Sequence, residues 1–143
     1  MIGNRKKYDS VQDAMNTWRA YMVSMGFGYK HGIDLPGEKR GLIPNANFYD
    51  KAYKGSWNGL TIISISIGQG EVNLTPLQIA NLGATIANRG YYYVPHVVKA
   101  IQGQPLDTLY TRRHYTMAKA WAYDKVVEGM RSAVERGTCR AAN

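Results

Sequence analysis

The chain has 143 residues, 45% of them hydrophobic, and 18 Lys and Arg against 10 Asp and Glu give a formal net charge of +8. That length allows one domain around one core. No apolar run reaches the roughly 18 residues of a membrane-spanning helix, the N-terminus lacks a signal peptide's apolar centre, and the single Cys139 excludes an internal disulfide.

Met1 to Asp9 is polar and expected to fray. Ser10 then reads as a helix N-cap with Asp13 three residues on, and Val11, Ala14, Met15, Trp18, Met22 and Met25 recur at helical spacing up to Gly26 and Gly28. This Trp and Met stripe is the docking face of an amphipathic helix rather than a cofactor box. Residues 26–59 are broken by Gly32, Pro36, Gly37, Gly41, Pro44 and Gly55, with one short helix capped by Asn45 and running through Phe48 and Tyr53. Asp34 and Glu38 flank a Pro-Gly turn, where carboxylates serve the turn's own hydrogen bonds more readily than acid–base chemistry.

Over 61–67, Ile63, Ile65 and Ile67 alternate with Ser64 and Ser66, predicting a half-buried strand, with a single helical turn as the other reading of so short a run. It delivers the chain to Gly68-Gln69-Gly70. Two glycines permit backbone angles that other residues avoid and leave the Gln69 amide clear of neighbouring side chains. From spacing alone, a plain tight turn with an exposed Gln is the simpler reading.

The clearest helix follows. Thr75 is the N-cap, Pro76 suits the first helical position, Gln78 completes a capping box, and Gly90 lies just past the end. Leu77, Ile79, Ala80, Leu82, Ala84, Ile86 and Ala87 cover most of its circumference, and Gln78, Asn81, Thr85 and Asn88 form one narrow polar stripe. A helix apolar nearly all round is expected to be buried, and Ala80, Gly83, Ala84 and Ala87 let other elements approach closely, so it reads as the central strut of a larger domain. Tyr91 to Ile101 is strand-like, with Pro95 confining it to an edge or bulge, and Leu109 to Tyr115 suits a returning strand. Tyr91, Tyr92 and Tyr93 read as packing plus surface. A last helix spans about Lys119 to Arg136, with Ala122, Val126, Val127, Met130, Ala133 and Val134 inward and Gly137 as its stop. The fold class is therefore α+β, mainly helical, with a few short strands.

Four pieces in fixed order carry a resemblance: Gly32 to Glu38, Ile67 to Gly70, Thr75 to Ala80 and Ala84 to Gly90. Together they resemble the transpeptidase domain of class B penicillin-binding proteins, the nearest match being the penicillin-binding protein 2 type of cell elongation. The resemblance implies that residues 1–143 are a single partial domain of β-lactamase/transpeptidase-like fold, lying between the family's Ser-x-Asn and Lys-Thr-Gly motifs. It implies a parent enzyme that cross-links peptidoglycan stem peptides by serine acyl transfer, binds β-lactams, and is held on the periplasmic face of the inner membrane by an anchor outside this chain. It also places Gln69, with Gly68 and Gly70, beside the substrate cleft, against the rest of the transpeptidase domain.

The family's catalytic residues are expected elsewhere. None of Ser10, Ser24, Ser56, Ser64, Ser66 and Ser132 has a Lys three residues later, and no Lys precedes Thr-Gly or Ser-Gly. Ser56-Trp57-Asn58 spells Ser-x-Asn but falls in the wrong place in the family's order. The expectation is no catalytic residue in this chain and no activity alone. His31, His96 and His114 lack metal-ligand spacing, Cys139 has no nearby His in sequence, and no phosphate loop or dinucleotide fingerprint appears, so neither metal nor cofactor is expected. Nucleic acid is not expected either, because no nucleic-acid motif accompanies the charge. The alternative is a non-enzymatic basic module that holds an anionic partner through Arg5-Lys6-Lys7 and Arg112-Arg113-His114. A further one is a scaffold that docks proteins along the Tyr91 to Tyr93 edge.

Overall fold

The computed structural model describes residues 6–142, so Arg5 and the rest of the expected N-terminal fray before Lys6 lie outside the described residues, as does Asn143. Helix α1 is Val11–Ser24, and the Ser10 hydroxyl accepts the Asp13 N–H at its start. Helix α2 is Ala46–Tyr53, capped by Asn45 through the Phe48 N–H. Asn16 on α1 adds a second acceptor at that end, its side-chain oxygen taking the Ala46 N–H at 3.1 Å. Both helices begin where local side chains satisfy N–H groups that have no partner within the helix. They pack on each other, and Met15, Ala46, Tyr49, Trp57, Ile62 and Ile65 form the main core, with Val11, Trp18 and Val72 against it.

The strand expected over 61–67 is not formed. Ile63–Ile67 is a 3-10 helix that ends on Gly68 in the left-handed conformation. Only Ile65 of its three isoleucines is buried, and Ile63 and Ile67 are exposed, so the alternation with serine did not describe a sheet face. Ser66 donates its hydroxyl to the Ile63 carbonyl, a bond that a serine makes to the preceding turn.

Helix α3, Pro76–Ala87, has the expected capping box in both directions, between Thr75 and Gln78. Its faces are the reverse of the expectation. Gln78, Asn81 and Thr85 are buried, whereas Ile79 is 56% exposed and Ala80, Gly83, Ala84 and Ala87 are exposed with it. The reason is long-range: the Gln78 amide donates to the Tyr29 and Arg40 carbonyls at 3.2 and 3.1 Å, which turns the polar stripe toward the irregular segment before α2. That segment also runs beside the chain leading into α3 through an antiparallel bridge of Leu42 and Asn73.

Strand β1 is only Tyr91–Tyr92, and its antiparallel partner β2 is His114–Tyr115, in the register Tyr91 to Tyr115 and Tyr92 to His114. Between them, the returning strand expected from Leu109 starts instead as a single turn, α4, Thr108–Thr111, capped by the Asp107 carboxylate. Local capping therefore overrides strand propensity there. Helix α5, Ala120–Glu135, packs on α3, and its one buried residue, Tyr123, lies against Gly90 and Thr116; Val126 and Met130, expected inward, are exposed. Arg89 past the end of α3 bonds Asp124 of α5 at 3.0 Å. A short 3-10 turn, Arg140–Ala142, follows. The result is an α+β arrangement, mainly helical, with a two-stranded sheet. Among the described residues no helix is long and apolar enough to cross a membrane.

Candidate functional site

The Gly68-Gln69-Gly70 turn stands at the surface between the 3-10 helix and the lead into α3. Gly68 and Gly70 have φ of 73° and 68°, the left-handed region where a side chain is strained. Gly70 is doubly constrained, since a Cβ there would meet the Ser64 hydroxyl at 2.5 Å. The Gly68 N–H donates to the Ile65 carbonyl and the Gln69 N–H to the Ser64 carbonyl, both at 3.1 Å. Gln69 is exposed, so its amide is presented outward from a turn whose entry is fixed by backbone bonds. On the exit side, the Tyr49 hydroxyl donates to Glu71 Oε2 at 2.7 Å, from a ring that is fully buried. Burial pushes the Tyr49 hydroxyl's pKa up, with the Glu71 carboxylate adding to the shift. Nothing local in the sequence pairs Tyr49 with Glu71. A carboxylate directly after Gly70 was the only visible signal, and its partner is 22 residues away.

The Gly32 to Glu38 segment is a hydrogen-bonded buttress. Glu38 accepts the His31, Gly32 and Ile33 N–H groups at 2.6, 3.0 and 3.4 Å. Asp34 accepts the Val97 and Val98 N–H groups at 2.9 and 2.8 Å, tying the turn to the chain after β1. Glu38 thus does the expected turn chemistry, whereas Asp34 is spent on a tie to Val97 and Val98, 63 and 64 positions away, rather than on its own turn. Burial raises the Glu38 carboxyl's pKa, but the three N–H donors and His31 together hold it below the ordinary value. The N–H of Val98 does most to lower Asp34.

His31 lies behind this turn, between the rings of Tyr29 and Tyr92. Its Nδ1 is 3.4 Å from Glu38 Oε1, close enough for charge attraction but without hydrogen-bond alignment. Burial lowers the His31 pKa and outweighs the pull of Glu38, so the fold favours the neutral ring. Tyr29 and Tyr92 join their hydroxyls at 2.5 Å, and His114 stacks on Tyr92.

The other candidate residues separate. Ser56-Trp57-Asn58 is structural: the Trp57 indole donates to Asp50, and the Asn58 side-chain oxygen accepts the Leu60 N–H. Arg113 lies 4.7 Å over the Tyr91 ring and donates to the Tyr93 hydroxyl, and Arg112 beside it is exposed. Lys7 sits over the Tyr8 ring. Of the Tyr91 to Tyr93 stretch, Tyr91 and Tyr92 pair with β2 on one side of the strand and Tyr93 is exposed. Cys139 is exposed. Among the described residues no three His, Cys, Asp or Glu side chains gather at a metal-holding spacing.

The family model described as penicillin binding protein transpeptidase domain matches residues 10–143. The peptidoglycan D,D-transpeptidase MrdA of Acinetobacter baumannii is 46% identical over 91 residues, 64% of this chain and 13% of that protein. Its Haemophilus influenzae counterpart is 36% identical over 100 residues, 70% of this chain and 15% of that protein. The chain therefore spans about one seventh of the length of these relatives. Among solved structures, Pseudomonas aeruginosa PBP2 in complex with WCK 5153 superposes with a TM-score of 0.73 at 34% identity, over 89% of this chain and 29% of that one. The likeness carries the α+β fold as well as the sequence motifs, and this chain belongs to the penicillin-binding protein transpeptidase domain family.

Proposed function

We propose that this chain is the part of a peptidoglycan D,D-transpeptidase that walls the substrate cleft without supplying the acylated serine. Residues 1–143 form one partial domain, lying between the family's Ser-x-Asn and Lys-Thr-Gly motifs. The longer protein cross-links stem peptides by serine acyl transfer, takes β-lactams at the same serine, and sits at the periplasmic face of the inner membrane. By itself the chain is inactive, since it has neither Ser-x-x-Lys nor Lys-Thr-Gly.

One observation carries this reading: within a chain that matches the transpeptidase family over residues 10–143, an exposed Gln69 is held between two left-handed glycines. An amide offers both donor and acceptor, the pair of functions needed to hold the backbone of a bound peptide or the amide of a β-lactam. Gly68, with open space where a Cβ would stand, leaves room for that approach. The exposed face of α3 faces the rest of the transpeptidase domain, where its small residues permit close packing.

The test is Gln69→Ala in the longer gene product, with acylation by a fluorescent penicillin followed in time. Loss of one hydrogen bond to the bound amide predicts acylation slowed about tenfold, with the thermal midpoint unchanged. An unaltered rate removes Gln69 from the site.

A further inference from the structure

Gln69 sits between two left-handed glycines, whose wide backbone freedom leaves the turn's direction to the bonds made at its two flanks. The entry is set by the bonds of Gly68 and Gln69 back to the 3-10 helix. The exit begins at Glu71, whose carboxylate is engaged by the hydroxyl of Tyr49. Tyr49 is fully buried and packs on Trp57, with ring centroids 5.2 Å apart, in the core that also holds Ile62 and Ile65. The hydroxyl therefore reaches the turn from one of the least movable points of the molecule. A phenylalanine would fill the same core without it. A hydrogen bond to a carboxylate is about twice as strong as one between neutral groups. Two residues further on, Asn73 is fixed in turn, exchanging backbone bonds with Leu42 at 2.6 and 2.9 Å.

We infer that Tyr49 and Glu71 are positioning residues for the Gln69 turn, holding its exit so that the Gln69 amide keeps one direction toward a bound peptide. The inference rests on the proposed place of Gln69 at the cleft, but its test does not. Amide hydrogen exchange is measured by NMR on this chain without ligand, for Tyr49→Phe, Glu71→Ala, their combination and Glu71→Gln. Tyr49→Phe and Glu71→Ala should each speed exchange at the Gly68 and Gln69 N–H groups about tenfold. The combination should add nothing further, and Glu71→Gln, which keeps an acceptor, should restore much of the protection. A residue that only stabilises the core would speed exchange equally at the Ile65 and Ile79 amides. Such a uniform change, or unaltered protection at Gly68 and Gln69, overturns the inference. The penicillin experiment on Gln69→Ala fails or succeeds independently of this result.

Discussion

The reversed faces of α3 lead to opposite expectations for two adjacent residues. Gln78 is 2% exposed, and its side chain makes three hydrogen bonds: from its amide to the Tyr29 and Arg40 carbonyls, and to its oxygen from the Thr75 N–H at 3.1 Å. Gln78→Met keeps the volume and the apolar stem but leaves all three backbone groups without that partner. At about 1 kcal/mol for each bond, the loss is about 3 kcal/mol. For a domain of this size that lowers the thermal midpoint by roughly 10 °C. Ile79→Gln, one position along on the exposed face, should change stability by less than about 0.5 kcal/mol in this chain. Urea unfolding followed by circular dichroism measures both. A loss under about 1 kcal/mol for Gln78→Met, or a larger loss for Ile79→Gln than for Gln78→Met, would refute the assignment of the polar stripe to the inner face.

Further outcomes follow from the turns and from the buried histidine. Gly41 has φ of 63°, and a Cβ there would lie 2.4 Å from the Asn73 carbonyl oxygen and 2.8 Å from Gln78 Oε1, whereas Gly37, at φ of 82°, has open space around it. Gly41→Ala should cost more than about 2 kcal/mol in urea unfolding, and Gly37→Ala only the backbone strain of about 1 kcal/mol; equal costs would contradict the contact at Gly41. His31 has its folded pKa lowered, so below the ordinary value of 6.5 the unfolded chain takes up the proton first and stability falls as pH drops. Glu38, also lowered, adds a second loss as pH falls below 4.5 and through its folded value. Thermal midpoints from pH 8 to pH 3 should therefore fall in two stages, with His31→Gln removing the upper one. A midpoint that is flat through the upper window would contradict the neutral buried ring.

Local chemistry was legible in the sequence, and long-range direction was not. Ser10, Asn45 and Thr75 each cap a helix through an N–H three residues on, so the starts of α1, α2 and α3 could be read from single windows. The same holds for the exposed Gln69 between glycines and for the turn role of Glu38, but not for Asp34, whose partners are Val97 and Val98. The inner face of α3 depends on carbonyls 49 and 38 residues away in sequence, which no periodicity encodes. The Ile and Ser alternation of 63–67 matches a strand's two-residue repeat, but five residues are too few to exclude a three-residue repeat with Ile65 alone inward. Tyr123 carries no local signal for burial, yet it is the buried anchor of α5, its hydroxyl bonded to that of Thr116. The pairing of Tyr49 with Glu71 is of the same kind: two ordinary residues whose meaning comes from the fold.

The central claim, that this chain walls a transpeptidase cleft and does not itself acylate, is tested most directly by fluorescent penicillin labelling of this chain beside the longer product of its gene. The account predicts covalent label on the longer product and none on this chain. Label on this chain would contradict the absence of a catalytic serine, and no label on a folded longer product would contradict the transpeptidase reading itself.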